Sequence, residues 1–281
     1  MNKCIVCKSN EKNKIYANLS QCKNCKHIYA NVKLDKIQIK HIYDDNYFFG
    51  NQYYNYIEDK SIVEKNANLR LKKILLTQND LKESKLLEIG SAYGFFLNYV
   101  NHLFKKVKGF EVNQKAVNYA HKFFKLDVSN EYFLEHNFHD EKYDIFCLWD
   151  VIEHLQNPDE YLKKFNNISN SHSLIAITTG DIKSFNARFN REKWRLIQTP
   201  EHLHYFTKDT ITRLLNDNGF EIIHFEHCGY YRSFLFICYG IKFLKKYFSW
   251  FLNFYRFLKL PNISIYLNFY DIMYIIARKI D

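Results

Sequence analysis

Leu86-Leu87-Glu88-Ile89-Gly90-Ser91-Ala92-Tyr93-Gly94-Phe95-Phe96-Leu97 is the stretch that decides the fold. An apolar run carrying an acid passes through small residues and resumes as an apolar helical pattern. That reads as a buried strand over 85–89, a tight loop, and a helix opening at Gly94. Small residues let a ligand approach the backbone, and the start of a helix offers N–H groups without partners. The spacing Gly90-x-Ala92-x-Gly94 is not the G-x-G-x-x-G of a dinucleotide fold. A carboxylate at Glu88 would repel a pyrophosphate and suits a cationic amine. A second strand, 107–112, carries Glu111 about twenty residues after the loop, where an acid can accept hydrogen bonds from ribose hydroxyls. The implied ligand has a ribose and a cationic amine, and no phosphate.

On both sides of this stretch the pattern alternates. Helices are expected over 57–81, 94–104, 114–124, 158–168 and 207–218, and strands over 143–149, 174–179, 220–227 and 272–278. Strand–helix alternation at this spacing predicts an α/β doubly wound parallel sheet. Before it, Cys4-x-x-Cys7 and Cys22-x-x-Cys25 hold four of the seven cysteines. Two such pairs about fifteen residues apart match a zinc ribbon, in which four thiolates close a tetrahedral, structural Zn2+ site. The organisation expected is a ribbon over 1–40, an aromatic cap and helical lead-in over 41–84, and the main domain over 85–281.

At these residues the chain resembles the class I S-adenosylmethionine-dependent methyltransferases, from about Tyr43 to Asp281. The subgroup resembled methylates small molecules and sugars and carries an amino-terminal zinc ribbon. The resemblance implies a Rossmann-like seven-stranded sheet with the last strand antiparallel. It implies that Glu88, Gly90, Ser91, Ala92 and Gly94 hold the methionine part of the donor, and that Glu111 holds its ribose. Ala92 stands where the family has a middle glycine. Asp150-Val151-Ile152-Glu153-His154-Leu155 looks like the family's D-x-x-E-H segment and places Trp149 and Asp150 at the cofactor. The adenine-binding acid is left open between Glu131 and Glu135.

The connection after the fifth strand contains Lys193-Trp194-Arg195 and Pro200-Glu201-His202-Leu203-His204-Tyr205-Phe206. A connection this long usually lines a site. His154, His202 and His204 are the catalytic candidates, since imidazole can take a proton from an attacking hydroxyl near neutral pH. His154 ranks first, because strand ends face the ligand crevice in open α/β sheets. Asp150, Glu153 and His154 are also suitable ligands for a divalent cation, Mg2+ among them.

The formal net charge of +10, from 40 Lys and Arg against 30 Asp and Glu, favours an anionic partner. A helical insertion is expected over 230–268. In it, Lys242, Lys245, Lys246, Ser249, Asn253 and Arg256 form one basic, polar face beside aromatic residues. That face suits peripheral membrane contact, self-association or packing on the protein's own core. The amino terminus has no apolar signal region and no run is long enough to span a bilayer, so the expected place is the cytoplasm, with the inner membrane face as an option. The function expected is O-methylation of a sugar, nucleotide-sugar or surface-glycan component. RNA methylation and a non-catalytic zinc-dependent binding module are the alternatives. Nucleic acid is disfavoured, because Trp149-Asp150-Val151-Ile152 replaces the Asn/Asp-Pro-Pro-Tyr/Phe used on base amino groups.

Overall fold

The structure is a computed structural model, and it describes residues 3–16, 18–44, 47–48, 55–78, 80–240, 248–258 and 263–280. Three short antiparallel strands come first: β1 (Lys12–Lys14), β2 (Leu19–Cys22) and β3 (Ile28–Ala30). Helix α1 (Lys36–Ile42) opens on Asp35, whose carboxylate accepts from the Gln38 backbone N–H while the Gln38 side chain accepts from the Asp35 N–H. That reciprocal cap satisfies two donors the helix leaves over. Helix α2 (Lys60–Leu75) then leads into the main sheet.

The sheet is assembled by β4 (Lys85–Ile89), α3 (Phe95–Val100), β5 (Lys106–Phe110), α4 (Gln114–Tyr119), β6 (Asp127–Ser129), β7 (Tyr143–Trp149), α5 (Pro158–Asn167) and β8 (Ser169–Gly180). The connection follows with α6 (Phe185–Asn190) and β9 (His204–Tyr205), and then α7 (Lys208–Asn216) and β10 (Phe220–His227). The chain closes with β11 (Tyr230–Ser233), α8 (Phe234–Gly240), α9 (Phe248–Phe257), β12 (Ser264–Leu267) and β13 (Ile272–Lys279). Seven strands pair in the order β10-β13-β8-β7-β4-β5-β6. The five strands from β4 to β8 run parallel, and β13 is antiparallel to both its neighbours.

Alternation along the strands explains the two packed faces. Leu87, Phe146, Leu148, Ile175 and Ile177 pack with Leu162 and Phe165 of α5 and Ile211 and Leu214 of α7. Leu86, Ile145, Cys147 and Ala176 face the other way, toward Leu71 and Ile74 of α2 and Phe96 and Leu97 of α3. Side chains of successive strand residues point to opposite faces, so strands buried on both sides read as continuous apolar runs. Burying them is the main favourable term in folding. The chain turns back between β6 and β7, which puts a topological switch point at the β4–β7 boundary. In open sheets a ligand crevice lies outside the carboxyl ends of the strands at such a point.

The small strands are joined to the main domain. Ile28 and Tyr29 of β3 pair antiparallel with Tyr205 and His204 of β9, and Cys4, Ile5 and Val6 enter the same core as α5 and α7.

Three expectations change. β6 is an additional edge strand, whose sequence Asp127-Val128-Ser129 buries only the valine. β8 starts at Ser169 rather than Leu174. The insertion is not helical throughout, because β11 and β12 pair as an antiparallel ribbon at its two ends. Lys242, Lys245 and Lys246 of the expected basic face lie outside the described residues, as do residues 49–54 of the aromatic segment. Of the aromatic face, Tyr255 packs with Leu235, Cys238 and Leu252, while Trp250, Phe254 and Phe257 are exposed.

Candidate active site

The loop after β4 bends through three left-handed residues, Gly90 (φ 70), Ala92 (φ 47) and Gly94 (φ 77). A Cβ at Gly90 would come within 2.6 Å of a Val151 methyl, and one at Gly94 within 2.9 Å of Leu126. Ala92 tolerates its conformation because its N–H is fixed, donating to Glu111 Oε2 at 2.8 Å. The Asn113 N–H donates to the other Glu111 oxygen at 2.8 Å. Burial raises the Glu111 pKa above the ordinary carboxylate range, while these backbone bonds act the other way.

Gly90, Ala92, Glu111, Trp149 and Asp150 line a cavity of about 1330 Å³ at the carboxyl ends of β4, β5 and β7. Glu88, Ser91 and Gly94 are not on its wall and form the underside of the loop. The reason is strand alternation, since Glu88 shares a face with Leu86, the side covered by α2. Arg70 of α2 lies on that side. Its guanidinium stacks 4.8 Å from the Trp149 ring and reaches Asp150 Oδ2 at 3.4 Å. Burial pushes the Glu88 carboxyl well above its usual range, against the pull of Arg70, and Oε2 has no partner. Ser91 Oγ and Trp149 Nε1 are likewise buried without partners. Of these, Trp149 is on the cavity wall, and its unpaired N–H beside a cluster of acids fits a ligand that brings hydroxyls and a positive charge.

Asp150 is strained (φ 56) at the end of β7. Its Oδ1 accepts from the Tyr230 hydroxyl at 2.7 Å while Oδ2 faces Arg70. Both oxygens thus serve the fold, which removes Asp150 from the expected cation set.

Glu153, His154 and His202 line the same cavity. His154 Nδ1 lies 2.8 Å from the Tyr43 hydroxyl and 2.9 Å from the Glu201 carbonyl, and its ring meets that of His202 edge-on at 4.5 Å. Burial lowers the His154 pKa to about 4 and that of His202 well below its ordinary value. Both are neutral imidazoles at pH 7. Glu153 Oε2 accepts from the Thr179 hydroxyl at 2.9 Å, and burial, with Asp150 nearby, raises its pKa to about 8.

His204 is a correction to the catalytic expectation. It is buried and lies off the cavity wall, with Nδ1 3.2 Å from His27 Nε2 in the seam between β3 and β9. Trp194 is buried too, its indole N–H donating to Asp271 at 2.9 Å. Of the acids left open for the adenine, both Glu131 and Glu135 line the cavity. Glu131 bonds His136, and Glu135 pairs with Lys36. Arg70, Tyr43 and Tyr230 were not anticipated from the sequence, because nothing local to them marks the partners they meet across the fold.

Cys4, Cys7, Cys22 and Cys25 have their sulfurs within 4.8 Å of one another, with Cys4–Cys25 at 3.5 Å and Cys7–Cys22 at 3.4 Å. No disulfide joins them. Four thiolates around one zinc ion sit about 3.7 Å apart, given a Zn–S bond near 2.3 Å. The cluster therefore fits a closed zinc-ribbon site.

A seven-stranded sheet with one antiparallel strand and a glycine-bearing loop at its switch point defines a Rossmann-like class I methyltransferase. The family described as "Methyltransferase domain" matches residues 63–225. The chain belongs to that family and is an S-adenosylmethionine-dependent methyltransferase. Among solved structures it is similar to the magnesium protoporphyrin IX methyltransferase of Synechocystis PCC 6803, solved with bound SAH. The identity is 12%, the TM-score 0.55, and 87% of this chain and 100% of that chain are covered. It is also similar to S-adenosylmethionine-dependent methyltransferases of Thermotoga maritima (18% identity, TM-score 0.53, covering 86% and 99%) and Clostridium acetobutylicum (10%, 0.53, covering 80% and 97%). At these identities the likeness is one of fold. No curated protein sequence matches the chain.

Proposed function

We propose that this methyltransferase acts on a hydroxyl of a small acceptor: a sugar, nucleotide-sugar or surface-glycan component. The observation that carries the reading is the placing of neutral His154 and His202 on the wall of the cavity that Gly90, Ala92 and Glu111 also line. Ligand pockets commonly span about 300–1,000 Å³, so a cavity of about 1330 Å³ has room for donor and acceptor together. S-adenosylmethionine, when bound, supplies an activated methyl group. The chain's own part is then positioning and removal of the acceptor proton.

Glu111 is the residue for the ribose, and the backbone of Gly90 and Ala92 admits the methionine part. Glu88 adds negative charge from beneath the loop. His154 is held by Tyr43 and the Glu201 carbonyl. His202 is packed against it, and the pair meets the acceptor hydroxyl. Lys36, Arg195 and Arg232 also line the cavity. Arg195 is answered by Asp271 and Lys36 by Glu135, while Arg232 is stacked on the Tyr230 and Phe236 rings. Arg232 is the one of these three cations not met by a carboxylate among the described residues, and it is where an acidic group of the acceptor would be met. The four-cysteine cluster supports a structural zinc ion in a ribbon over about 1–40. Mg2+ at Asp150, Glu153 and His154 has no such support, since Arg70 and Tyr230 occupy Asp150.

The test is methyl transfer from labelled donor to a panel of sugars, nucleotide-sugars and RNA. With the accepted substrate, His154→Ala should lower kcat by about 10²–10⁴-fold. Donor affinity by calorimetry should hardly change. Transfer to RNA alone would sink the reading, and so would normal kcat in the variant.

A further inference from the structure

Glu153, His154 and His202 offer one ligating atom each, and the three atoms lie within 4.8 Å of one another. Ligands of one tetrahedral zinc-type ion sit about 3.3 Å apart, so binding draws the three atoms together by up to about 1.5 Å. We infer that these three side chains hold a divalent first-row transition cation, and that this cation takes the acceptor's hydroxyl oxygen. The inference rests on the acceptor site proposed above and gives it a chemistry.

The hydrogen bonds around the cluster already fix the ligand atoms. His154 Nδ1 lies 2.9 Å from the Glu201 carbonyl, which can only accept, and 2.8 Å from the Tyr43 hydroxyl, which can accept from it as well. With the proton on Nδ1, a metal would take the Nε2 lone pair. The His202 ring lies edge-on to that of His154 at 4.5 Å. An imidazole that donates one N–H to a carbonyl and ligates through the other nitrogen is the usual arrangement at metal sites. Thr179 steadies one Glu153 oxygen at 2.9 Å and leaves lone pairs on the carboxylate.

The three ligands come from two segments, the turn after β7 and the connection. The backbone ties these together, with Leu203 and His204 N–H groups donating to the Glu153 carbonyl at 2.8 and 3.0 Å.

The donor set selects the metal. Two imidazoles and one carboxylate suit Mn2+, Fe2+, Co2+ or Zn2+, whereas Mg2+ prefers an all-oxygen shell. Three protein ligands facing a cavity leave a position open, in contrast to the closed four-cysteine cluster. An acceptor hydroxyl in that position would be more acidic. His154 and His202 then act on the hydroxyl through the cation and not as free bases: as the O–CH3 bond forms and the S–CH3 bond breaks, the electron pair of the broken bond stays on sulfur and the hydroxyl proton passes to solvent water.

The experiment titrates Mn2+ into the full chain, purified with its ribbon metal in place, and counts bound Mn2+ by electron paramagnetic resonance. Mn2+ competes poorly for thiolates, so the ribbon is not read. The expected result is one Mn2+ per chain, displaced by Zn2+ or Co2+ and not by equal Mg2+. Glu153→Gln and His202→Ala should each weaken it by at least about tenfold. Donor affinity of both variants should stay near wild type, which shows that they fold. Wild-type protein that takes up no Mn2+, Co2+ or Zn2+ beyond the ribbon metal overturns the inference. So do variants that bind Mn2+ normally, and so does displacement by Mg2+. Wild-type chain that binds the donor but takes up no second cation overturns this inference alone, while absent donor binding overturns the methyl-transfer reading on which it rests.

Discussion

The two ends of the parallel strands treat the same residue type in opposite ways. At the amino ends of β4, β5 and β7, Glu141 meets Lys85 at 3.1 Å, Lys106 at 2.8 Å and the Tyr143 hydroxyl at 3.0 Å. Burial there would raise its pKa, but the bonds from Lys106 and Lys85 prevail and bring it down to about 2. At the carboxyl ends stand Glu88, Glu111, Asp150 and Glu153, and burial holds the three glutamates above their usual range. Arg70 is the one basic side chain bonded to any of these four, among the described residues. One end is matched for stability, while the other keeps an excess of buried acid, with Glu88 and Glu111 beside the donor loop and Glu153 beside His154 and His202. Perturbed carboxylates of this kind cluster at functional sites.

The contrast breaks most completely at Gly90. A valine there would put a β-branched side chain at φ 70 with its Cβ 2.6 Å from Val151. The strain is about 1–3 kcal/mol before any clash, and the loop would close over the donor space. Gly90→Val is expected to bind S-adenosylmethionine at least about 100-fold more weakly by calorimetry, or about 2.7 kcal/mol. Binding within tenfold of wild type would place the donor elsewhere.

Removing the ribbon metal should act on one side of the carboxyl end only. The cysteine cluster meets the cavity through β3 and β9, next to His202, while Leu34, Asp35, Lys36 and Ile39 line the cavity directly, and none of 1–40 bonds the Gly90 loop among the described residues. Purified chain should hold one zinc in the ribbon, and Cys4→Ser or Cys22→Ser should release it and unfold that segment. Methyl transfer should be lost, with donor affinity changed by less than about tenfold, which is 1.4 kcal/mol. Metal analysis that finds no zinc in carefully prepared protein would reject the ribbon.

The donor loop was legible in the sequence because its logic is local. Strand, turn, helix start and the next strand's acid lie within one stretch, and Gly90 and Glu111 line one cavity while Gly94 opens the helix beneath it. The faces were harder. Glu88 turns from the cavity because strand alternation assigns it to the α2 side, where Arg70 waits from a segment with no motif. His202 and His204 are two residues apart, yet one packs on His154 and the other on His27. His202 closes a turn through its N–H to the Gln198 carbonyl at 2.7 Å, and His204 begins β9, so sequence proximity misled. The four-cysteine cluster was readable from paired spacing alone. Its pairing with β9 joins residues far apart in the chain and left no trace in the pattern.

Glu111 tests the excess of acid directly. Glu111→Ala should weaken donor binding by roughly 1–3 kcal/mol, the scale of lost hydrogen bonds to a charged group. The pH dependence follows from the raised pKa. Burial raises the Glu111 pKa, and the ionised form is the better acceptor for ribose hydroxyls, so binding that favours this form releases protons. Affinity should therefore rise as pH increases through the mildly acidic range, and Glu111→Ala should flatten that slope. A wild-type affinity that falls with rising pH would contradict the arrangement.

The smallest effect belongs to the matched end. Glu141→Gln removes a partner from Lys85 and Lys106, whose side chains are only partly covered. Partly exposed ion pairs contribute about 0–1 kcal/mol each, so denaturant unfolding should show a loss of about 1 kcal/mol at neutral pH. The sign with pH is fixed by the direction of the shift. The native pKa, about 2, lies below the ordinary value of 4.5. The stabilisation is therefore present above about pH 4.5 and is lost as pH falls from there toward 2, where native protein must take up the proton the unfolded chain already holds. The gap between wild type and Glu141→Gln should narrow over that window. Donor affinity should be the same in both proteins at every pH, because the whole length of the strands separates Glu141 from the cavity. A change in donor affinity would show that the two ends are coupled, and the contrast between a structural end and a binding end would fail.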